Sequence, residues 1–176
     1  MQCRRWKKHR ANRAVCQSCI LLLVLLLVLL MGLAVPVQAA RQKQAWNFPL
    51  DTTEWRISDT YGERTDPFTG QTAFHDGLDL ACGEGTGVRA VQDGVVRTAA
   101  YSASYGNYLC LLHPDGRETR YAHLQYLYVR SGAVVQAGQL LGTVGQTGRA
   151  TGPHLHLELW EQGKARDPAP LLELAP

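Results

Sequence analysis

The stretch TGPHLHLELW, residues 151–160, leaves a turn and then alternates polar and apolar side chains. In a β-strand, residues two apart point to the same face, so this alternation produces one apolar and one polar face. The apolar face carries Leu155, Leu157 and Leu159. The polar face carries His154, His156 and Glu158, whose side chains can titrate or bind a metal ion. The segment alone also fits an ordinary surface or half-buried pair of histidines, so the rest of the chain has to decide.

The N-terminal segment has the layout of a secretory signal. Six basic residues lie between Arg4 and Arg13, an unbroken apolar run covers 20–35, and small residues follow it. We predict cleavage after Ala39. The alternative is a retained membrane anchor, because sixteen apolar residues fall just short of the roughly 17–25 that a membrane-spanning helix needs. In both cases we expect the rest of the chain to be extracytoplasmic, in the periplasm or cell wall, secreted, or anchored facing outward.

The residues that follow the signal are enough for one domain with a sizeable core. We predict a short polar lead at 40–47 and a single domain at 48–172, and we expect a monomer. The whole chain has 18 Lys and Arg against 15 Asp and Glu, and without the six basic signal residues the balance is 12 against 15, a net charge of −3. A nucleic-acid partner is not expected, because its binding needs a basic patch on the folded domain.

Short apolar segments separated by turn residues predict an all-β domain of antiparallel sheets. The candidate strands are 88–91, 94–99, 107–113, 118–124, 139–145 and 154–160. Helical periodicity is not sustained anywhere after residue 40, so helices should be few and short. Asp115-Gly116 is a strong two-residue hairpin signal, which pairs 107–113 with 118–124 and brings His123 into the sheet. His113, beside this turn, is expected to be a solvated strand end.

Histidine and carboxylate residues of the predicted domain can form an open zinc site. His75 and Asp79 would lie about 13 Å apart in an extended strand, at about 3.3 Å per residue, but Gly77 lets the chain bend between them. Asp76-Gly77 disfavours a helix, so a bent strand or a loop is expected. With one histidine of the 154/156 pair, these residues offer three N and O ligands, which is typical of catalytic zinc with one open coordination position. The residues themselves leave open which of the two histidines binds.

Two cysteines, Cys82 and Cys110, lie beyond the predicted signal. An oxidising compartment permits a disulfide between them, but the sequence does not reveal the geometry that a bridge requires. A catalytic thiol is disfavoured, because both cysteines lie in apolar, strand-like runs.

The motifs HDGLD, YAHL and GPHLH, in this order, resemble the three motifs of the LytM and lysostaphin-type zinc endopeptidases, which cut peptide cross-links in bacterial peptidoglycan. The similarity extends over 48–172 and includes connecting pieces such as YGNYLCLLHPDG. It implies a β-rich domain whose sheets form a groove, with one Zn²⁺ on the floor of that groove. The resemblance also implies roles for five residues. The zinc ligands are His75, Asp79 and His156, and the unliganded catalytic histidines are His123 and His154.

This resemblance implies that a metal-activated water attacks the peptide bonds of peptidoglycan. The sequence has no HExxH motif, so His123 or His154 is expected to orient or deprotonate the water, and the division of these roles is open. The alternative function is a catalytically silent module that binds and regulates another cell-wall hydrolase. A lipoyl or biotinyl carrier is disfavoured, because Lys43 and Lys164, the only lysines after the signal, do not lie where a carrier turn needs one.

Side chains around the expected groove leave two further alternatives open. Tyr61, Asp66 and Phe68, in the segment 61–74, either line the groove or pack their own loop. By alternation His123 shares a face with Tyr121, so apart from the resemblance it is also consistent with an ordinary strand residue.

Overall fold

The computed structural model describes residues 46–174. The predicted signal, residues 1–39, and most of the predicted lead lie outside the described residues, so these domain boundaries stay predictions. The described chain forms twelve strands and one 3₁₀ helix, Ala169–Leu172. The strands are β1 (Trp55–Asp59), β2 (Gly62–Thr65), β3 (Thr72–His75), β4 (Gly77–Cys82), β5 (Gly87–Arg89), β6 (Gly94–Ser102), β7 (Gly106–Leu112), β8 (Glu118–Leu127), β9 (Val134–Val135), β10 (Leu140–Val144), β11 (His154–Glu161) and β12 (Lys164–Arg166).

Ten of these strands form one sheet, and β2 and β3 form a separate two-stranded sheet. The main path of the large sheet is β1-β4-β11-β8-β7-β6-β9, while β10 pairs with β5 and β8, and β12 pairs with β11. Every pairing is antiparallel. The prediction of an all-β domain of antiparallel sheets with few short helices is therefore confirmed. Within residues 46–174, the helical content falls short of the length and apolar character that crossing a membrane requires.

Strand β11 lies between β4 and β8 and carries the centre of the core. Its three leucines are at most 2% exposed, as the alternation predicts. Leu155 is registered with Leu80, and Leu157 with Leu78 and Tyr121, so apolar side chains stack across three strands. Burying each leucine contributes about 1.5–3 kcal/mol to folding. This packing fixes the register of β11, because a one-residue slip would turn its polar face into the core.

All six strands that the sequence predicts are present, with ends within three residues of the expected positions. Apolar periodicity does not predict β2 and β3, because this ribbon is largely exposed and buries too few side chains to leave a pattern. The expected bend is confirmed, since β3 ends at His75 and β4 begins at Gly77.

The predicted hairpin at Asp115-Gly116 is confirmed, because β7 and β8 pair antiparallel on either side of it. The expectation of a solvated His113 is wrong, since this residue is only 3% exposed. Its Nδ1 lies 2.8 Å from the carbonyl oxygen of Asp93, and its Nε2 lies 2.8 Å from the hydroxyl of Thr119. The ring also packs against Trp46 at a centroid distance of 5.6 Å. Residues far away in sequence therefore cover a strand end that looks exposed locally.

Both cysteines of the domain are free thiols. Burial, reinforced by the neighbouring Glu118 carboxylate, raises the pKa of Cys110 to about 11. Burial also raises the pKa of Cys82. Because the thiolate is the nucleophilic form of cysteine, neither side chain is poised for catalysis.

Candidate metal centre and catalytic cleft

Three strands bring His75, Asp79 and His156 together at the centre of the fold. His75 ends β3, and the bend that follows places Asp79 in β4, next to β11. His156 is registered directly opposite Asp79 across these two strands. Donor atoms of the three side chains lie within 4.8 Å of one another, and all three residues are buried. The bend thus brings His75 and Asp79 close enough to share one ion with His156.

The outer nitrogen of each histidine in this cluster is held by an acceptor. His75 Nδ1 lies 2.8 Å from the carbonyl oxygen of Thr60, and His156 Nε2 lies 3.0 Å from Glu158 Oε1. Both outer nitrogens therefore donate a hydrogen bond. The inner nitrogens, His75 Nε2 and His156 Nδ1, are 3.0 Å apart. They lie 3.2 and 2.7 Å, respectively, from Asp79 Oδ1. Lone pairs this close are stable only with a proton or a cation between them. The N, N and O donor set fits zinc.

Electrostatics make this cluster attractive to positive charge. Burial opposes the ionisation of Asp79, but hydrogen bonds from His156 and His75 outweigh burial and hold the pKa of the carboxyl well below its usual range. Burial also disfavours the charged form of His156, yet its hydrogen bonds to Asp79 and Glu158 outweigh this and raise its pKa to about 9. Without a metal, the cluster therefore holds a proton that a divalent cation would displace, as is general for metal sites of this kind.

Two more histidines, His123 and His154, stand beside the cluster with their ring centroids 4.7 Å apart. Their Nδ1 atoms each lie 2.8 Å from a carbonyl oxygen, that of Thr147 for His123 and that of Gly152 for His154. In a neutral ring Nδ1 therefore donates, and Nε2 is left as an acceptor. Burial, the dominant influence, lowers the pKa of His123 to about 4, so this ring is neutral at pH 7. Both rings line one cleft together with Asp79 and His156 of the metal cluster.

An unusual backbone conformation turns His123 toward this cleft. Its φ is 61°, in the left-handed region that residues other than glycine seldom adopt, at a typical cost of about 1–3 kcal/mol. Backbone hydrogen bonds hold the conformation, because His123 donates to the carbonyl of Tyr105 and accepts from the N–H of Gly145. Tyr121 lies in the core, whereas His123 lines the cleft. The expectation that these two share a face is therefore wrong, since the left-handed residue interrupts the alternation.

A protein-family comparison covers this whole site. Residues 73–168 match the family described as Peptidase family M23. The chain belongs to peptidase family M23. The resemblance to LytM and lysostaphin-type peptidases that three short motifs indicate is thereby confirmed.

Individual relatives of this M23 chain are also informative. The peptidoglycan DD-endopeptidase ShyC of Vibrio cholerae is 40% identical over 130 residues, which cover 73% of this chain but only 30% of ShyC. A zinc-containing peptidase from Vibrio cholerae has a solved structure that is 34% identical, with a TM-score of 0.66, over 75% of this chain and 40% of that one. The catalytic domain of lysostaphin from Staphylococcus simulans is 33% identical, with a TM-score of 0.62, over 68% of this chain and 92% of that domain. The chain therefore spans less than a third of the length of ShyC.

One wall of the M23 cleft is built by Arg149 and Phe68, with Asp66 holding them in place. Nη2 of Arg149 lies 2.8 and 2.9 Å from the two carboxylate oxygens of Asp66, and its guanidinium stacks on the Phe68 ring at 4.5 Å. Asp66 also accepts two backbone N–H groups of its own turn. Tyr61 does not line the cleft and instead packs edge-on against Phe74. Within segment 61–74, Phe68 thus lines the cleft, whereas Tyr61 packs against its own loop.

Several residues that support the M23 site leave no local signal in the sequence. They are Thr60, Arg64, Tyr105 and Thr147. Arg64, for example, lies 4.0 Å from Asp79 Oδ2 and hydrogen-bonds to Asp59. Their partners come from other strands, so no pattern of neighbouring residues could have revealed them. Glu158 differs, because it lies two residues after His156 on the same strand face, and alternation alone places it beside that ring.

Proposed function

We propose that this chain is a zinc-dependent endopeptidase that hydrolyses peptide cross-links of bacterial peptidoglycan. The observation that carries the proposal is a buried three-donor cluster, two of whose members line a cleft that two further histidines also line. Membership of peptidase family M23 supports it, as does the similarity to a peptidoglycan DD-endopeptidase and to a zinc-containing peptidase. The same chemistry requires a single metal ion with an open position, which three protein ligands leave available.

In this proposal His75, Asp79 and His156 hold one Zn²⁺ through His75 Nε2, Asp79 Oδ1 and His156 Nδ1. Zinc supplies Lewis acidity when bound, which stabilises negative charge that develops on oxygen during amide hydrolysis. The carbonyl of Thr60 and the carboxylate of Glu158 keep the two imidazoles oriented through their outer nitrogens. Partners that orient ligands in this way are a general requirement of zinc sites.

Proton transfer falls to His123 and His154. In its neutral form, each ring presents Nε2 as an acceptor while its Nδ1 is bound to a main-chain carbonyl, and in that form it can take a proton from the attacking water. The ring that gains the proton can then deliver it to the leaving amine. The low pKa of His123 keeps this ring neutral in the resting enzyme and favours its return to the neutral form after each cycle.

The test compares zinc content and cleavage in three full-length proteins. The wild type should bind one zinc per chain and release peptide fragments of defined mass from purified peptidoglycan, and a chelator should stop cleavage until zinc is restored. His156→Ala should lose zinc, and therefore cleavage. His123→Ala should keep zinc but lose turnover, because it removes a proton acceptor and leaves the three donors in place.

Two outcomes would contradict the proposal. Normal cleavage by His123→Ala would rule out the proton-transfer role. Full zinc occupancy in a wild type that cuts no peptide bond would favour the alternative, a silent module that regulates another cell-wall hydrolase.

We also propose that the domain acts outside the cytoplasm, because its proposed substrate lies there. The signal at 1–39, the domain limits at 48–172 and the monomeric state stay predictions. The mass of the exported product tests the first of these, since a protein that still carries the basic N-terminal residues would be a membrane-anchored form.

A further inference from the structure

The carboxylate of Glu158 is buried deep behind the metal cluster and is surrounded only by hydrogen-bond donors. Its side chain is 1% exposed. Oε1 lies 3.0 Å from His156 Nε2 and 2.7 Å from the Tyr105 hydroxyl. Oε2 lies 3.2 Å from Arg120 Nη1 and 2.5 Å from Trp160 Nε1. Each oxygen thus accepts two hydrogen bonds, which uses the full acceptor capacity of an ionised carboxylate.

The two oxygens of Glu158 differ in what they hold. Oε2 is anchored by Arg120 and Trp160, which also contact each other, because the Arg120 guanidinium stacks on the Trp160 ring at 4.1 Å. Oε1 instead contacts the two residues that face the cleft, His156 and Tyr105. The contacts of Oε2 therefore fix the position of the carboxylate, and Oε1 in turn holds two side chains of the cleft in place.

Charge balance alone does not account for this arrangement. If Glu158 served only to neutralise Arg120, the two residues could form their ion pair nearer to the surface. Burying the carboxylate instead costs several kcal/mol unless its partners compensate fully. Glu158 is buried where its Oε1 reaches the outer nitrogen of a proposed zinc ligand. Because that nitrogen then carries the proton, the opposite nitrogen, Nδ1, has its lone pair directed at Asp79 and the metal position.

We propose that Glu158 is a positioning residue for zinc, which selects the metal-binding nitrogen of His156 and sets the affinity of the site. The inference rests on the proposed function, since it takes His156 to be a zinc ligand. Tyr105 shares the same oxygen, so Glu158 also fixes the position of this hydroxyl at the cleft.

The decisive variant is Glu158→Gln in the full-length protein. An amide offers one acceptor oxygen and one NH₂ donor, so in either orientation two of the four surrounding donors would face an N–H group. Zinc affinity, measured by competition with a chromogenic chelator, should fall by about 10- to 100-fold. The visible spectrum of the Co²⁺-substituted protein should shift as well, because the ligand field at His156 changes. Glu161→Gln is the matched control, as it makes the same change at a partly exposed carboxylate of the same strand.

Ring protonation gives a second readout that a purely structural role would not produce. In the zinc-loaded wild type, nitrogen-15 NMR of the histidine rings should show His156 protonated at Nε2. A ring protonated at Nδ1 would overturn the inference, as would a folded Glu158→Gln protein with the zinc affinity of the wild type. If Glu158→Gln does not fold, Arg120→Gln replaces it, since it keeps the carboxylate and removes its charged anchor. Unchanged zinc affinity in that variant would likewise overturn the inference.

These outcomes separate the inference from the proposed function. A wild type that binds no zinc refutes the proposed function, and this inference with it. A wild type that binds zinc as tightly as its Glu158→Gln variant refutes the inference alone.

Discussion

Gly77 is the residue whose replacement by alanine tests the packing of the metal centre most directly. It begins β4 and is registered with Glu158 of β11. An added Cβ would lie 2.6 Å from the carbonyl oxygen of Leu157, and 2.8 and 3.0 Å from Cε1 and Nε2 of His156. Ordinary contacts of such an atom begin at 3.4 Å, so these neighbours would have to move by 0.4 to 0.8 Å. The Leu157 carbonyl belongs to the backbone of the central strand, so relieving that contact requires β4 to shift away from β11, and the His156 ring must move as well.

The free-energy cost of Gly77→Ala follows from this geometry. Forcing a methyl group into a well-packed interior costs about 1–3 kcal/mol. Gly77 does not have a positive φ, so alanine suits the backbone and recovers about 0.4–1 kcal/mol by restricting the unfolded chain. We therefore expect a net loss of about 1–2 kcal/mol, which lowers the melting temperature of a domain of this size by roughly 4–8 °C. Zinc affinity should fall as well, because the displaced ring is the proposed ligand.

Thermal unfolding of the zinc-free protein and chelator competition measure the two effects separately. Gly83→Ala is the control, because a Cβ there meets only the Thr86 hydroxyl, at an ordinary distance of 3.8 Å. The control should keep the zinc affinity of the wild type, and its melting temperature should equal or slightly exceed that of the wild type, because alanine restricts the unfolded chain at this site too. If Gly77→Ala does the same, the close packing between β4 and the His156 ring is refuted.

Two further predictions concern residues outside the cleft. Burial lowers the pKa of His113, so the folded protein keeps this ring neutral while the unfolded chain protonates it near 6.5. The stability that His113 contributes is therefore complete above pH 6.5 and is lost as pH falls toward its lowered native pKa. Urea unfolding of the zinc-free protein above and below this pH should show a smaller loss in His113→Asn than in the wild type, and equal losses would contradict the buried neutral ring. Because the pKa values of Cys82 and Cys110 are raised, iodoacetamide at neutral pH should label both thiols quickly in urea and slowly in the folded protein. Mass spectrometry checks this, and a fast-reacting or disulfide-bonded cysteine in the folded protein would be the contrary result.

Much of the fold and of the candidate site follows from short-range patterns. The two-residue period of 154–160 identifies β11 and its buried leucines, and Asp115-Gly116 identifies the β7–β8 hairpin, because each signal depends only on neighbouring residues. The bend at Asp76-Gly77 is likewise a local property of the chain. The motifs around the five site residues are also contiguous in sequence, so the resemblance to the M23 peptidases is carried by the amino-acid order alone.

Cross-strand register decides what these patterns leave open. Alternation places His154 and His156 on one face, but only the pairing of β11 with β4 sets His156 opposite Asp79 and His154 opposite Ala81, two residues along the strand from Asp79. The left-handed backbone at His123 reverses the face that alternation assigns, since hydrogen bonds from two separate loops hold it.

The sequence by itself determined the all-β class, the strand at 154–160, the hairpin and the set of residues able to bind zinc, because each depends on residues close together in the chain. Only the tertiary structure decided which histidine nitrogens converge, that His113 is buried, and that Glu158 meets Tyr105 across 53 positions of the chain. The physical reason is that these features arise from side chains brought together by register and strand order, which packing of the whole core determines and no local segment encodes.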